Sequence, residues 1–351
     1  MVEQLPTALV VVLAVAFAVF QAQPAPPQSP LLYQWETDYA HWTVYEKYRI
    51  FFKDVQGLVN NSRTLVVLHG FPTSSFDFHM LLKPLRNAFS RVVFIDFLGH
   101  GFSDKPRNHQ YSLIEQTKIV EFVLQEIGVS ELHILAHDYG GSVAMELLKK
   151  HRDTSKIASL TIESLAIINP SLFSELYRQT WFMYLLRLPI IGPIAARLAN
   201  RVSYAQELDQ IFGSRKIDEF TLKQLWYFAR HRDEYRAWPS LLSYLDERPL
   251  LEKEWLQTLK QASIPMAFFH GPASPILPYD ELSRLYSTHV PSITVEKFAD
   301  DIGHYPQFED PEELFERYVL FLRGKAKLDV ALEETVVLMT PQNADPAVKS
   351  I

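Results

Sequence analysis

The chain has 351 residues, 48% of them hydrophobic, which is enough for one large domain with a buried core. Its formal net charge of −7 comes without any block of Lys or Arg, so a typical nucleic-acid-binding surface and a polybasic lipid-binding patch are both excluded. Cysteine is absent, which excludes disulfides, thiolate nucleophiles and Cys-type zinc sites. We therefore expect no metal, no cofactor and a small or lipid-like partner.

Residues 1–22 form a hydrophobic segment around the apolar run Ala8–Phe20. The run is too short to cross a hydrocarbon core of about 30 Å as an ordinary helix. The segment carries Glu3 and no basic residue, which favours an uncleaved membrane anchor over a cleavable signal peptide. The prediction is attachment to the endoplasmic reticulum membrane through this segment, with secretion as the alternative.

The rest of the chain is predicted to be a Pro-rich spacer, a two-part core with an inserted cap, and a tail. Residues 23–30 are the spacer. Strand-like runs alternate with helix-length segments over 31–168 and 265–324, which is typical of a parallel sheet covered by helices. Residues 169–264 are predicted to be almost entirely helical and to form the cap. Residues 325–351 are predicted to be a loosely held tail. Early in the core, Asn60 begins an Asn-x-Ser pattern, a glycosylation candidate if the domain faces a lumen.

The chemistry is predicted to centre on the segment Leu132-His-Ile-Leu-Ala-His-Asp-Tyr-Gly-Gly141. A buried strand runs here into a turn of small residues and then into helical spacing, the pattern of a nucleophile elbow. Asp138 is the central residue, and its side chain is expected to stand exposed above the sheet. Replacement by alanine is then expected to abolish activity and leave the fold intact.

Three further motifs accompany the elbow: His69-Gly-Phe-Pro72, Gly99-His-Gly-Phe-Ser-Asp-Lys-Pro106 and Gly303-His-Tyr-Pro-Gln-Phe-Glu-Asp-Pro311. Their order and spacing resemble the epoxide hydrolase and haloalkane dehalogenase branch of the α/β hydrolases. The resemblance covers roughly residues 45–323 and implies the α/β-hydrolase fold, with a mostly parallel central sheet and a helical cap.

Carried onto this sequence, the resemblance implies a two-step hydrolysis. Asp138 would attack a saturated carbon to give an alkyl ester, and water activated by His304 would hydrolyse that ester. The peptide N–H groups of Phe71 and Tyr139 would form the oxyanion hole. The loop around Phe71 would be shaped by Gly70 and Pro72 and organised by His69 through hydrogen bonds.

Epoxide opening also requires an acid for the departing oxygen, which two cap tyrosines provide in the family. Tyr235 and Tyr244 are the predicted donors. A dehalogenase would instead be expected to hold the halide with an indole N–H from the residue after the nucleophile. That residue is Tyr139 here, which argues against dehalogenation.

The third member of the family triad is missing at its usual place. Relatives carry an acid in the loop after the strand at 266–269, where this chain has Ser274, and the alternative position after the strand at 165–168 holds Asn169. Asp280 is one of the remaining nearby carboxylates, together with Asp300 and Asp301. The sequence therefore leaves two readings: a membrane-associated hydrolase acting on an apolar or lipid-like substrate, or a hydrolase-fold binding protein with little turnover.

Overall fold

The protein is built on an eight-stranded sheet, seen in a computed structural model that describes residues 11–12, 15, 25–151 and 160–330. The strands lie in the order β1-β2-β4-β3-β5-β6-β7-β8. The two pairs that involve β2 are antiparallel and all others are parallel. The strands are β1 Ala40–Tyr45, β2 Tyr48–Gln56, β3 Thr64–Leu68, β4 Arg91–Ile95, β5 Glu131–His137, β6 Thr161–Ile168, β7 Met266–His270 and β8 Thr294–Lys297.

Short β-branched and aromatic runs account for most of this sheet. Strands β3 to β7 lie where the sequence predicts them. Most of their residues are buried on both faces of the sheet, so each strand appears in the sequence as a continuous run of apolar residues. The strand-like run Ile293-Thr-Val-Glu296 predicts the last strand, and β8 begins at Thr294, one residue later. Strand β1 was not predicted: it is an edge strand of intermediate and exposed residues, so it carries no apolar run.

Helices cover both faces of the sheet. Successive residues of a strand point to opposite faces and so contribute to two apolar clusters, one on each side of the sheet. On β3, for example, Val66 and Leu68 belong to one apolar cluster, and Leu65 and Val67 to the other. The core helices are α1 Pro30–Thr37, α2 Leu82–Ala88, α3 Leu113–Glu126, α4 Tyr139–His151, α11 Tyr279–His289, α12 Pro306–Glu309 and α13 Pro311–Gly324.

The chain between β6 and β7 is helical and contains no strand. These helices lie over the carboxyl ends of the parallel strands, where ligands bind in open α/β sheets. Their bounds are α5 Trp181–Arg187, α6 Ile191–Leu198, α7 Arg201–Ile211, α8 Glu219–Arg230, α9 Trp238–Leu241 and α10 Tyr244–Gln261, with 3₁₀ helices at Ser174–Leu176 and His231–Arg236.

The two ends of the chain are described only in part. Most of the apolar segment 1–22 lies outside the described residues, and among those described no helix is both long and apolar enough to cross a membrane. At the other end, Val330 is buried and its carbonyl accepts a hydrogen bond from Arg323 Nε at 2.6 Å. The remainder of the predicted tail, from residue 331, lies outside the described residues.

Candidate active site

A tight turn joins β5 to α4 and presents Asp138 at the carboxyl end of the sheet. Asp138 has φ 43°, a left-handed conformation that is uncommon for a residue other than glycine. Its N–H donates to the carbonyl of Ile168 at 3.1 Å, and the N–H of Gly140 donates to the carbonyl of His69 at 3.0 Å. A Cβ at Gly140 would lie 2.5 Å from the carbonyl oxygen of Leu68, so only glycine permits this close approach. The strained turn therefore fixes where the Asp138 side chain points.

The expectation that Asp138 stands exposed is wrong. Its side chain is only 2% exposed, and Arg248 Nη2 of α10 donates to its Oδ1 at 3.0 Å. Arg248 is also buried, and its Nε donates to Ser142 Oγ at 2.9 Å. Burial by itself would raise the pKa of Asp138, but the opposing influences, of which the Arg248 guanidinium is the largest, outweigh burial and lower it. Asp138 is thus held as a carboxylate, and it holds part of the cap through Arg248.

Asp138 and His304 lie on the same internal cavity, between the sheet and the helices above it. The cavity wall is otherwise mainly apolar, and its other hydroxyl and carboxyl groups belong to Tyr177, Tyr204 and Glu207. It is lined by Phe71, Pro72, Asp138, Tyr177, Phe182, Met183, Leu186, Tyr204, Glu207, Leu208, Ile211, Trp238, Ile276 and His304. Glu207 accepts a short hydrogen bond from the hydroxyl of Thr180, and burial raises its pKa.

The His304 imidazole has Ser274 beside its Nδ1 atom. The Ser274 hydroxyl lies 3.5 Å from Nδ1, at the outer limit of a hydrogen bond, and no carboxylate of the described residues bonds to this ring. Burial lowers the pKa of His304 to about 3, so the imidazole is neutral at physiological pH. A neutral imidazole can accept a proton from water, but the imidazolium that forms would have no acid beside Nδ1.

Two of the predicted partners of His304 make other contacts. Asn169 does not reach the ring: its Nδ2 donates to the His304 carbonyl at 2.8 Å, and its Oδ1 accepts from the Gly271 N–H at 3.0 Å. Asn169 therefore positions the backbone of His304. Asp280 is exposed in the first turn of α11 and is not a ring partner either.

The remaining carboxylates near the loop face solvent. Asp300 pairs with Lys297 at 2.5 Å and Asp301 with Arg215 at 2.8 Å. The acid has therefore not moved to either position, because both are committed to surface ion pairs.

The loop 69–72 lines the cavity beside Asp138. His69 Nδ1 donates to the Gly70 carbonyl at 2.8 Å, and His69 Nε2 accepts from the Phe97 N–H at 3.1 Å. Burial lowers the pKa of His69 to about 3, which keeps the ring neutral in this bonding pattern. A Cβ at Gly70 would lie 2.5 Å from Nδ1 of His137, so glycine is required there. The Phe71–Pro72 peptide is cis, and the Phe71 carbonyl accepts from the Tyr305 hydroxyl at 2.9 Å.

Tyr139 is the first residue of α4, where helix N–H groups have no partner within the helix. Its ring is buried and meets the Tyr244 ring with centroids 4.9 Å apart. The predicted oxyanion-hole residues, Phe71 and Tyr139, thus both adjoin the elbow.

Of the two predicted proton donors, only Tyr244 lies at the site. Its ring is stacked under the Arg248 guanidinium, with 4.4 Å between Cζ and the ring centroid. Burial first, and then the charge of Asp138, raises the pKa of Tyr244. The Tyr235 hydroxyl instead accepts from Arg236 Nε at 3.1 Å, and Arg230 covers its ring at 4.6 Å. Tyr235 is buried beneath Arg230 and Arg236 in a cation–π cluster and does not line the cavity.

Tyr177 takes the place that the sequence assigned to Tyr235. It lines the cavity, lies 5.3 Å from the Arg248 guanidinium by ring centroid, and has its pKa raised first by burial and then by the charge of Asp138. Sequence reasoning missed both Tyr177 and Arg248. Arg248 lies in an amphipathic helix between charged residues and reads as solvent-facing, and no spacing rule separates Tyr177 from the 16 tyrosines of the chain.

Asn60 is exposed in the turn between β2 and β3. Its neighbour Asn61 is tied into the fold through Nδ2, which donates to the Ala88 carbonyl at 2.9 Å. The Asn60 side chain is thus accessible for modification.

A family model described as the alpha/beta hydrolase fold matches residues 63–311. The chain belongs to this family. It is 39% identical to the mesoderm-specific transcript protein of Mus musculus over 86% of this chain and 90% of that protein. The likeness of Gly70–Ser75, Asp96–Gly99 and His304–Gln307 to that group, visible in the sequence, is confirmed by this identity.

Other similarities agree with the family. The chain is 32% identical to the putative hydrolase LipZ of Mycobacterium tuberculosis, over 81% of this chain and 95% of that protein. The solved structure of the epoxide hydrolase CorEH superposes with a TM-score of 0.61 at 16% identity, covering 81% of this chain and 98% of the other. At that identity the second likeness shows the fold alone.

Proposed function

We propose that this α/β hydrolase opens an epoxide on an apolar substrate with Asp138 as nucleophile. The observation that supports the proposal best is the placement of an ionised Asp138 and a neutral His304 on one apolar cavity. A carboxylate at an elbow cannot act as the serine of a lipase, but it can displace an oxygen from a saturated carbon.

The first step would use the free oxygen of the nucleophile. Arg248 binds Oδ1, which leaves Oδ2 to attack an epoxide carbon. The new bond is the ester C–O bond, and the broken bond is the epoxide C–O bond at that carbon. The epoxide oxygen takes a proton from the hydroxyl of Tyr177 or Tyr244, both of which lie beside Asp138 and keep their protons at neutral pH.

The second step would release the diol. His304 takes a proton from water, and the hydroxide attacks the ester carbonyl carbon of Asp138. The carbonyl oxygen is then Oδ1, which already accepts from Arg248 Nη2, so this cation would stabilise the developing oxyanion together with the N–H groups of Phe71 and Tyr139. Collapse breaks the bond between the Asp138 carbonyl carbon and Oδ2, and the released alkoxide takes the proton back from His304. The remaining proton of the water passes from the new Asp138 carboxyl group to the tyrosinate left by the first step, and one oxygen from water stays on Asp138.

The substrate class follows from the wall of the cavity. Most of its lining is aliphatic or aromatic, which favours a small apolar or lipid-like substrate. Glu207, which lines the cavity and whose pKa is raised by burial, would offer a hydrogen bond to one polar group of the substrate.

A second candidate function is binding with little turnover. Ser274 beside His304 favours it, because a serine cannot supply the charge that stabilises an imidazolium. The two functions differ in whether an ester on Asp138 forms and is hydrolysed.

A single-turnover reaction in ¹⁸O-labelled water tests the proposal with an epoxide of a long-chain hydrocarbon. The first diol should carry unlabelled oxygen from Asp138, and mass analysis of the protein should show a covalent adduct on the peptide that contains Asp138. Asp138→Asn, which retains an oxygen for Arg248, is the matched control and should form no adduct. Solvent label in the first diol would indicate direct attack by water, and a bound but unreacted epoxide would favour the binding protein.

Residues 1–22 are proposed to attach the protein to the endoplasmic reticulum membrane, on the strength of the apolar run Ala8–Phe20. The full chain should then sediment with that membrane, and removal of residues 1–24 should reduce the fraction of protein that sediments. Glycosylation at Asn60 would report a luminal domain. Fractionation of the full chain with the cytosol would contradict the attachment.

A further inference from the structure

Large hydrophobic side chains are exposed together on one part of the cap. Trp181 is 70% and Ile190 80% exposed, and Trp181 is stacked on Tyr184 with ring centroids 5.6 Å apart. No other short stretch within the described ranges 25–151 and 160–330 exposes as many. The surface, called here the cap face, consists of Trp181, Tyr184, Ile190, Ile191, Ile194, Leu198 and Val202.

Helical periodicity places most of these residues on the outer side of α5 and α6, with Ile190 between the two helices and Val202 at the start of α7. Ile191, Ile194 and Leu198 recur at a spacing of three and four, which lines one face of α6. The opposite side of α5 faces the cavity, where its residues Met183 and Leu186 are buried and form part of the wall. A thin layer, one helix thick, therefore separates the cap face from the cavity.

The two helices form a tight hairpin that holds the cap face in place. The Gly192 N–H donates to the Leu188 carbonyl at 2.7 Å, and a Cβ at Gly192 would lie 2.0 Å from the carbonyl oxygen of Leu186. Glycine alone allows this approach. The apolar residues thus belong to a fixed element of the fold, and the conformation of that hairpin keeps their side chains exposed.

The amino-terminal chain reaches the domain on this side. The Ser29 hydroxyl donates to Gln224 of α8 at 2.5 Å. Helix α8 in turn adjoins the start of α7 through the ion pair of Glu219 with Arg201, next to Val202 of the cap face. Only the short Pro-rich spacer lies between Ser29 and the apolar run that ends at Phe20.

The charges around the cap face do not oppose contact with a phospholipid surface. Residues 176–206 contain no Asp or Glu, in a chain whose net charge is −7. Their basic residues are Arg178, Arg187, Arg197 and Arg201. Three of these form ion pairs at the rim: Arg178 with Glu281, Arg187 with Asp246, and Arg201 with Glu219. The rim is therefore nearly neutral, and apolar contact rather than net charge would supply most of the attraction.

We propose that the cap face docks onto the surface of a phospholipid bilayer. Trp and Tyr with aliphatic neighbours are the residues that enter the boundary between head groups and acyl chains. Docking through α5 and α6 would bring the cavity wall against the bilayer, so that a lipid-like substrate could pass into the cavity without crossing water. This contact is additional to the attachment proposed for residues 1–22.

Because the chain contains no cysteine, one introduced cysteine can carry a polarity-sensitive fluorophore. The full chain is labelled at Ile190→Cys or, as the matched control, at Leu320→Cys on α13, which replaces a side chain that is 60% exposed away from the cap. Both are added to vesicles of phosphatidylcholine and phosphatidylserine. We expect emission at position 190 to rise about two-fold and to be quenched by nitroxides on the acyl chains, and emission at position 320 to stay unchanged.

Three outcomes would overturn the proposal. Vesicle binding with position 190 still in water would show that residues 1–22 act alone. A rise in emission without vesicles that depends on protein concentration would assign the cap face to a second copy of the chain. Equal quenching at both positions would indicate nonspecific adsorption. His304→Gln combined with the label should dock equally well, so this result is independent of the proposed hydrolysis.

Discussion

Arg248 donates from Nη2 to Oδ1 of Asp138 across 3.0 Å, and both side chains are almost completely buried. The pair joins α10 of the cap to the elbow at the end of β5. A buried charge without its partner is strongly unfavourable, so each of these two charges can be buried only because the other is beside it. Asp138 is therefore both the proposed nucleophile and a structural contact between cap and core.

Arg248→Gln should lower the free energy of unfolding by about 3 kcal/mol, because it leaves the Asp138 carboxylate buried without a cation. The pKa of Asp138 should rise at the same time, since Arg248 is the largest of the influences that lower it. The double variant with Asp138→Asn should be more stable than the sum of the single effects implies, by about 1.5 kcal/mol. Urea denaturation measures all three variants.

Arg187→Gln is the matched control for this cycle. Its partner Asp246 is mostly exposed, so the free energy of unfolding should change by less than about 1 kcal/mol. Strict additivity of Arg248→Gln and Asp138→Asn would show that the buried pair contributes no coupling.

Ser274→Asp should speed hydrolysis of the ester about ten-fold or more. A carboxylate beside Nδ1 would stabilise the imidazolium of His304, and in a protease triad the loss of that charge reduces the rate about 10⁴-fold. The native protein should turn over slowly and accumulate its ester, because attack by Asp138 does not need His304 as base. Stopped reactions analysed by mass spectrometry give the rates of adduct formation and loss separately.

The pH profile provides a second readout of Ser274→Asp. Burial lowers the pKa of His304 to about 3, so the acidic limb of native hydrolysis should lie well below pH 6. An added carboxylate should raise that pKa and move the limb upward. Asp280→Asn, at an exposed position, should leave both rate and profile unchanged. Rapid native hydrolysis that Asp280→Asn abolishes would mean that the acid is supplied from α11.

Tyr177→Phe and Tyr244→Phe should each slow formation of the adduct, and the double variant should slow it by about 10²-fold, since general acid catalysis contributes roughly this much. Tyr235→Phe is the matched control, because its hydroxyl bonds to Arg236 away from the cavity. Burst-phase kinetics with a saturating epoxide gives the alkylation rate. An equal loss with Tyr235→Phe would attribute the effect to cap packing.

His270 should make the protein less stable in mild acid. Its ring nitrogens have no hydrogen-bond partner among the described residues, and burial lowers its pKa to about 3. The unfolded chain takes up the proton near pH 6.5, so the stability from neutral His270 is complete above that pH and declines as the pH falls toward 3. Between pH 6 and 5, His270→Phe should therefore lose about 1 kcal/mol less stability than the native chain. Parallel losses in urea denaturation would contradict this.

The sequence determined the fold class and the identity of the elbow. Strands buried on both faces appear as continuous apolar runs, and the glycines after Asp138 are required by contacts with neighbouring backbone, so both leave local signals. The position of Ser274 beside His304 was implied by the family resemblance, which places the triad acid in the loop after β7. The apolar runs and the elbow depend on residues close together in the chain.

Only the tertiary structure decided which cap residues reach the site. Arg248 meets Asp138 from a helix far along the chain, and Tyr177 rather than Tyr235 lines the cavity. The burial of Asp138 and the exposed cap face were also invisible in the sequence, because the same amphipathic helix pattern fits either orientation of α5 and α10. Local periodicity fixes which residues share a face of a helix, whereas the packing of that helix against the sheet decides which face meets the nucleophile.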